Sequence, residues 1–206
     1  MNNLVSSEAV IRHVVASADD RSLFIAGLGR TAGLLEHFAG NRSLTLDAMG
    51  SIVPVATGIA LALSSTDLEV DLTTFDTDGS LLLDSGCLAG LAVSRRLIRH
   101  LDLIVLDNGL YESAGNIRSR GFALDWRSLF HAFGLDVVLI ETVTELATFC
   151  DVSKRQGIRA AVVNVENSDP VPPAVSVYDG HEKVSRFLDT FSQMTSRPRW
   201  RRAEKL

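Results

Sequence analysis

Two short segments carry the side chains whose types and spacing could do chemistry. Residues 76–80 read DTDGS and residues 107–109 read DNG, and each follows an apolar, β-prone run. A helical segment separates them, so the sequence predicts a βαβ unit whose strand ends lie at the same edge of a parallel sheet. Ligands bind such sheets at the carboxyl ends of the strands. Carboxylate and amide oxygens at that edge suit Mg²⁺ that holds a phosphate-bearing cofactor.

The stretch 72–116 resembles the diphosphate-binding motif of thiamine diphosphate (ThDP) enzymes. That motif reads G-D-G-S, then just under thirty residues, then N-N or D-N followed by glycine. Residues 77–80 (TDGS) and 107–109 (DNG) fill its two halves. Residues 108–115 (NGLYESAG) are similar to the N-G-x-x-x-S-x-G of phosphonopyruvate and sulfopyruvate decarboxylases. Thr77 stands where glycine is usual, and the stretch between the halves is slightly long compared with many ThDP enzymes.

The resemblance implies which residues would bind a metal ion and the cofactor. The implied Mg²⁺ ligands are Asp78, the side-chain oxygen of Asn108 and the carbonyl of Leu110. The segment DAMGS resembles the family's G-S-M-G, so Met49 would wedge under the thiazolium ring and the Asp47 carbonyl would accept a hydrogen bond from the 4′-amino group. Asp47 replaces the usual glycine. Further cofactor contacts are implied for Gly29, Thr31, Gly50, Gly79, Ser80 and Tyr111.

The glycine-rich segment 27–33 (GLGRTAG) permits three interpretations. It is similar to the decarboxylases' T-G-x-T-S-R-E-L, which would turn its backbone N–H groups and Thr31 toward the diphosphate or the substrate. With Asp47 at the end of the next strand it also imitates a dinucleotide-binding fingerprint, although its spacing is G-x-G-x-x-x-G and the helix after it is short. The third interpretation is a tight turn that binds no ligand.

A phosphatase is a further alternative for the DTDGS segment. It resembles the D-x-D-G-T motif of haloacid-dehalogenase-type phosphatases, in which Asp76 would attack phosphorus and Asp78 would act as acid and base. That motif normally opens its domain, whereas most of a βαβ layer precedes it here. The phosphatase family also needs a lysine and a late acidic pair at strand ends. No lysine of this chain follows a predicted strand; the three lysines are Lys154, Lys183 and Lys205.

Composition restricts the class of protein. Apolar residues make up 46% of the 206, which suffices for a substantial core, and the net charge of −5 argues against general nucleic-acid binding. No apolar run is long enough to span a membrane, and the N-terminus lacks the basic start of a signal peptide. Cys87 and Cys150 match no metal-ligand spacing and are expected to be buried free thiols. We therefore expect a cytoplasmic protein without membrane or nucleic-acid partners.

The alternation of elements predicts an α/β fold, a three-layer sandwich with a mostly parallel sheet. Predicted helices cover residues 6–18, 34–38, 52–63, 126–133, 143–154 and 181–194, and predicted strands cover 23–26, 43–46, 72–75, 102–106, 136–140 and 159–165. Helix 52–63 is apolar on nearly every face and should be buried. The resemblance implies the ThDP-binding fold of the diphosphate (PP) module over residues 1–196, followed by a basic tail at 197–206.

The resemblance implies an enzyme: the ThDP- and Mg²⁺-binding subunit of a two-subunit 2-oxo acid decarboxylase, which releases CO₂ and an aldehyde. It is closest to the β subunit of sulfopyruvate decarboxylase and the C-terminal part of phosphonopyruvate decarboxylase. A separate pyrimidine-module, α-type subunit would supply the catalytic glutamate, because this chain carries motifs of the diphosphate module alone. An anionic substrate would need positive charge near the site, for which the candidates are Arg30, Arg118 and Arg120. Two alternatives are a carboligase subunit similar to acetolactate synthase and a non-catalytic ThDP-binding partner.

Overall fold

The computed structural model describes residues 5–151, 156–166 and 179–195. The strands are β1 (Val5–Ser6), β2 (Ser22–Ala26), β3 (Ser43–Thr45), β4 (Asp71–Thr77), β5 (His100–Asp107), β6 (Leu110–Tyr111), β7 (Ile117–Arg118), β8 (Val138–Ile140) and β9 (Gly157–Glu166). The helices are α1 (Ser7–Ala16), α2 (Arg30–Ala39), α3 (Ile52–Ser64), α4 (Asp78–Leu83), α5 (Cys87–Ser94), α6 (Trp126–Ala132), α7 (Val143–Phe149) and α8 (Gly180–Thr195). Two 3₁₀ turns cover Gly40–Arg42 and Glu112–Ala114.

A seven-stranded sheet forms the middle layer, and all its strand pairs are parallel. The strand order is β1-β9-β5-β4-β2-β3, and β8 also pairs with β9. From β2 the chain crosses outward to β3, whereas from β4 it crosses the other way to β5. The connections after β2 and β4 therefore diverge, which opens a crevice at the carboxyl ends of these two strands. The predicted ligand edge lies at this crevice.

Helices cover both faces of the sheet, as a three-layer α/β fold requires. Residues of β5 alternate between the two cores: Leu103 and Val105 pack on one face, and Ile104 and Leu106 pack on the other. Helices α3 to α6 and α8 contribute to the first core, whereas α1, α2 and α7 contribute to the second. Because helices cover both faces of the sheet, the central strands are buried along almost their whole length.

Local signals in the sequence account for several helix starts. The Ser6 side chain accepts a hydrogen bond from the Ala9 N–H at 3.1 Å and caps the first helix. The apolar residues of this helix, which recur at helical spacing, are buried. Thr142 and Glu145 form a reciprocal capping box at the start of α7. These contacts involve residues three apart and need no distant partner.

Three sequence predictions need correction. Helix α2 begins at Arg30 and not at residue 34, because Gly29 adopts a φ of 82° and lets the chain enter the helix directly from the β2 turn. Helix α3 is not buried on nearly every face, since Pro54, Gly58 and Ala62 form an exposed stripe. Cys87, which we expected to be buried, is half-buried.

The part of the chain that the structure describes contains no helix long and apolar enough to cross a membrane. Cys150 is buried and Cys87 is half-buried, and the two are not joined by a disulfide. The predicted basic tail at 197–206 and the end of the predicted helix 143–154 lie outside the described residues, and α7 ends at Phe149. The division at residue 196 therefore stays a prediction.

Candidate cofactor- and metal-binding site

The loops at the carboxyl edge surround a cavity of about 60 Å³. Its lining includes Gly27, Arg30, Met49, Asp76, Asn108 and Tyr111. The sequence predicted that segments 76–80 and 107–109 lie at one edge, and the resemblance implied that 27–33 and 47–51 contribute to the same site; residues of all four segments line this cavity. A cavity of this size is far below the several hundred Å³ of a typical cofactor pocket, so a ligand as large as ThDP would extend beyond this cavity.

Asp78 is the first residue of α4, and its side chain is 0% exposed. Its Oδ2 accepts hydrogen bonds from the Ser119 hydroxyl and from Arg120 Nη1, the latter at 2.8 Å. Its Oδ1 is buried and has no hydrogen-bond partner among the described residues. Burial raises the pKa of Asp78 above its ordinary value, and the nearby Asp107 charge acts in the same direction. An unpartnered buried carboxylate oxygen is costly, and a divalent cation would compensate it.

Arg120 links two carboxylates at the ends of neighbouring strands. Besides its bond to Asp78, its Nη2 donates to both carboxylate oxygens of Asp107, at 2.9 and 2.8 Å. Asp107 also accepts from Trp126 Nε1 at 2.6 Å, and the Arg120 guanidinium lies 5.8 Å from the centroid of that indole ring. Two carboxylates and an aromatic ring therefore hold this guanidinium in place.

The second half of the motif forms a tight loop after β5. Asn108 Oδ1 accepts from the Leu110 N–H at 2.9 Å, and Asn108 Nδ2 donates to Glu112 at 2.7 Å. The Ser119 N–H donates to the Gly109 carbonyl at 2.9 Å, while the Ser119 hydroxyl binds Asp78. Ser119 thereby joins the loop of Asn108 to Asp78, the two side chains that the resemblance implies as metal ligands. No motif pointed to Ser119 or to Trp126, and the sequence analysis missed both.

The glycine of the TDGS segment is required by packing. The Tyr111 ring lies against Gly79, and a Cβ added to this glycine would be 2.5 Å from Tyr111 Cε1. The Tyr111 hydroxyl donates to the Gly79 carbonyl at 3.2 Å. This contact connects the start of α4 to the β6–β7 hairpin. Gly79 and Tyr111, both predicted cofactor contacts, are therefore in contact with each other.

Ser80 joins two motif segments, and Thr77 has a local role. Ser80 Oγ accepts from the Gly50 N–H at 3.0 Å, so the DAMGS and TDGS segments are directly bonded. The Thr77 side chain accepts from the Ser80 N–H at 3.4 Å and caps α4. Capping explains how threonine serves where the ThDP pattern has glycine.

Met49 and Asp47 lie in the loop between β3 and α3. Met49 is half-buried and lines the cavity, so its position agrees with that of an apolar wall beside a bound ring. The Asp47 side chain is exposed, and its Oδ1 lies 4.0 Å from Lys183 Nζ. Gly29 and Thr31 frame the N-terminus of α2, which no side chain caps. Its backbone N–H groups therefore form an environment that favours anions.

The three candidate substrate arginines differ in their surroundings. Arg30 Nε lies 3.5 Å from Glu112 Oε2 at the rim of the cavity. Arg118 is exposed on β7. Arg120 is held by Asp78 and Asp107, so its charge is already compensated. Arg30 is the arginine of the three that lines the cavity.

Asp76 is buried at the end of β4. Its Oδ1 accepts from the Thr77 N–H at 2.8 Å, and its Oδ2 is buried without a hydrogen-bond partner in the part of the chain that the structure describes. Burial raises the pKa of Asp76 to about 6. The phosphatase interpretation needs a lysine at this edge, but Lys183 is on α8 and pairs with Glu36 at 3.2 Å. The other two lysines lie outside the described residues.

The described residues contain no cluster of three or more histidine, cysteine, aspartate and glutamate side chains that could hold a metal ion. The predicted donor set is of a different kind, because it comprises one carboxylate, one amide oxygen and one backbone carbonyl. Such hard oxygen donors, together with diphosphate oxygens and water, are the ligands that Mg²⁺ prefers. The buried, unpartnered Oδ1 of Asp78 fits this assignment.

No family model matches this chain, and no curated protein matches its sequence. Among solved structures, it is similar to one described as a "putative thiamin diphosphate-dependent enzyme isolated from Mycobacterium smegmatis", with a TM-score of 0.66 and 21% identity. The match covers 81% of this chain and 32% of that chain, so this chain spans about a third of the solved protein. The similarity confirms the predicted α/β fold, which resembles a domain of a ThDP-dependent enzyme.

Proposed function

We propose that this chain binds ThDP and Mg²⁺ as the diphosphate-binding module of a 2-oxo acid decarboxylase of phosphonopyruvate or sulfopyruvate type. The observation that carries the proposal is Asp78, a fully buried carboxylate with an unpartnered oxygen at the carboxyl edge of the sheet. The similarity of the fold to part of a protein described as a ThDP-dependent enzyme supports it. When bound, ThDP supplies the carbanion chemistry that removes CO₂ from a 2-oxo acid.

Each motif segment has a role in this proposal. Asp78, the Asn108 side-chain oxygen and the Leu110 carbonyl would hold Mg²⁺; Asn108 Oδ1, which accepts one hydrogen bond from the Leu110 N–H, has a second lone pair for the metal. The uncapped N-terminus of α2 stabilises the negative charge of the diphosphate. Met49 forms the apolar wall, and the Asp47 carbonyl accepts from the amino group of the pyrimidine. The protein thus contributes binding geometry and electrostatics to chemistry that belongs to the cofactor.

A second subunit is part of the proposal. Helices α3 and α5 pack together. None of the 13 residues of α3 and none of the 8 residues of α5 is charged. Their outer surface exposes Gly58, Ala62 and Ala89, and Val93 is 84% exposed. An apolar surface without charge is typical of a protein interface. We define it as the α3–α5 face, and propose that a pyrimidine-module subunit covers it and supplies the glutamate that activates ThDP.

The proposal is tested by measuring CO₂ release from phosphonopyruvate, sulfopyruvate and pyruvate with ThDP and Mg²⁺. The chain alone should release none, and turnover should begin when the pyrimidine-module subunit is added. Full turnover by the chain alone would show that the catalytic acid belongs to this chain and not to a second subunit. Joining of two carbonyl compounds without free aldehyde would favour the carboligase, and ThDP binding without any turnover would favour a non-catalytic partner.

The anionic substrate gives a separate test at Arg30, which lines the cavity. Arg30→Gln should raise the KM for phosphonopyruvate by about tenfold, because one charge-assisted contact is lost, and should change the KM for pyruvate much less. Arg127→Gln is a control of equal charge at an exposed position on α6. Equal effects of Arg30→Gln on both substrates would contradict a role in recognising the phosphonate.

A further inference from the structure

The proposed metal carboxylate already has a cationic partner within the chain. Arg120 Nη1 lies 2.8 Å from Asp78 Oδ2, and the Arg120 side chain is 18% exposed. The same guanidinium binds Asp107 through its other terminal nitrogen. A protein cation therefore lies against the carboxylate that the proposed function assigns to Mg²⁺.

A guanidinium on Oδ2 and a divalent cation on the unpartnered Oδ1 of one buried carboxylate would repel each other, because burial weakens the screening between like charges. Asp107 offers Arg120 an alternative position, since it accepts two hydrogen bonds from the guanidinium. Trp126 donates a hydrogen bond to Asp107, and its ring centroid lies 5.8 Å from the Arg120 guanidinium carbon. Asp107 and Trp126 would therefore hold the arginine close to the site after its bond to Asp78 breaks.

We propose that Arg120 and the divalent cation compete for Asp78, so that Arg120 leaves this carboxylate and stays on Asp107 when the cation binds. This inference rests on the proposed function, because it takes Asp78 as the metal ligand. Its consequence is that the chain binds a divalent cation weakly until the Asp78–Arg120 pair opens, since binding requires a conformation that the ion pair disfavours.

The experiment is a titration of the full chain with Mn²⁺ without ThDP, in which free Mn²⁺ is measured by electron paramagnetic resonance. Arg120→Gln should bind Mn²⁺ about tenfold more tightly than the wild type, the size of a typical coupling between two binding events. Arg120→Lys should fall between the two, because lysine keeps the charge but cannot bridge two carboxylates as a guanidinium does. Arg127→Gln removes an equal charge from an exposed position on α6 and should leave the affinity unchanged.

Each outcome decides between explanations. Equal affinities of the wild type and Arg120→Gln, or weaker binding by Arg120→Gln, would overturn the competition. The competition would also be overturned if Arg120→Gln bound Mn²⁺ more tightly but Arg120→Lys bound it with the same affinity as the wild type. The loss of a positive charge near the site would then explain the higher affinity of Arg120→Gln. Absence of Mn²⁺ binding in every variant, with or without ThDP, would contradict the metal site of the proposed function itself. Thermal unfolding of each variant verifies folding, and Arg120→Lys alone decides the test if Arg120→Gln does not fold.

Discussion

The ring of Tyr111 occupies the space that a side chain at Gly79 would need, since a Cβ there would lie 2.5 Å from Tyr111 Cε1. We expect Gly79→Ala to lower the free energy of unfolding by about 1–3 kcal/mol, the usual cost of overpacking. Tyr111→Ala should remove most of that cost in the double mutant, which chemical denaturation measures as a coupling between the two sites.

Gly90→Ala provides the control for this cycle. Gly90 is exposed within α5, and an added Cβ meets no atom within 4 Å. Alanine there should stabilise the protein by up to about 1 kcal/mol, because glycine is a poor helix former. If Gly79→Ala behaved like Gly90→Ala, the close packing of Tyr111 on Gly79 would be contradicted.

Asp78 and Asp76 should differ in their effects on cofactor binding. Asp78→Ala should abolish Mg²⁺-dependent binding of ThDP in isothermal titration calorimetry, because it removes the one carboxylate of the proposed metal set. Asp76→Ala should weaken binding less, by about tenfold or under, because Asp76 lines the cavity without serving as a metal ligand. Loss of activity in Asp76→Ala alone, with a phosphoaspartate trapped at that residue in the wild type, would favour the phosphatase instead.

His100 should make the stability of the protein depend on pH. It is buried with Nδ1 at 3.0 Å from Asp71 and Nε2 at 3.3 Å from Asp102, and Asp102 is paired with Arg159 at 2.6 Å. Burial acts to lower the pKa of His100, but the two aspartates outweigh it and raise the pKa above its ordinary value of 6.5. A group whose pKa is raised by folding stabilises the native state in its protonated form.

The stabilisation from His100 should be fully present below pH 6.5 and should be lost as the pH rises through the native pKa. Urea unfolding at several pH values measures it as the difference between the wild type and His100→Gln, which should shrink as the pH rises. His131→Gln, at an exposed position on α6, should show no such trend. A difference for His100→Gln that is constant with pH would mean that the histidine acts through packing alone.

Charge on the α3–α5 face should block association with the proposed partner. Val93→Glu places a carboxylate on that face at a residue that is 84% exposed, so the isolated chain should keep its thermal stability. Sedimentation velocity with the pyrimidine-module subunit should show affinity reduced by about a hundredfold or more, because an interface core disfavours an unpaired charge. Val184→Glu on α8 is the matched control. Unchanged association of Val93→Glu would place the interface elsewhere.

The sequence by itself determined the class of fold and the edge at which the candidate site lies. Apolar runs ending in DTDGS and DNG identified two strand ends, and both lie at the carboxyl edge of the parallel sheet. The Ser6 cap and the apolar stripe of α1 also follow from local signals in the sequence. These signals are recoverable because capping and periodicity act over a few residues, where neighbours in the chain are neighbours in space.

Only the tertiary structure decided how the site residues are partnered. Ser119 and Arg120 reach Asp78 across 41 and 42 residues of sequence, and neither separation follows a local rule. The exposed stripe of α3 could not be predicted either, because the sequence of an apolar helix does not show which of its sides the fold leaves uncovered. His100 shows the same limit, since its two carboxylate partners come together only when β4 and β5 pair. Such contacts depend on the register and packing of distant segments, which composition and periodicity do not encode.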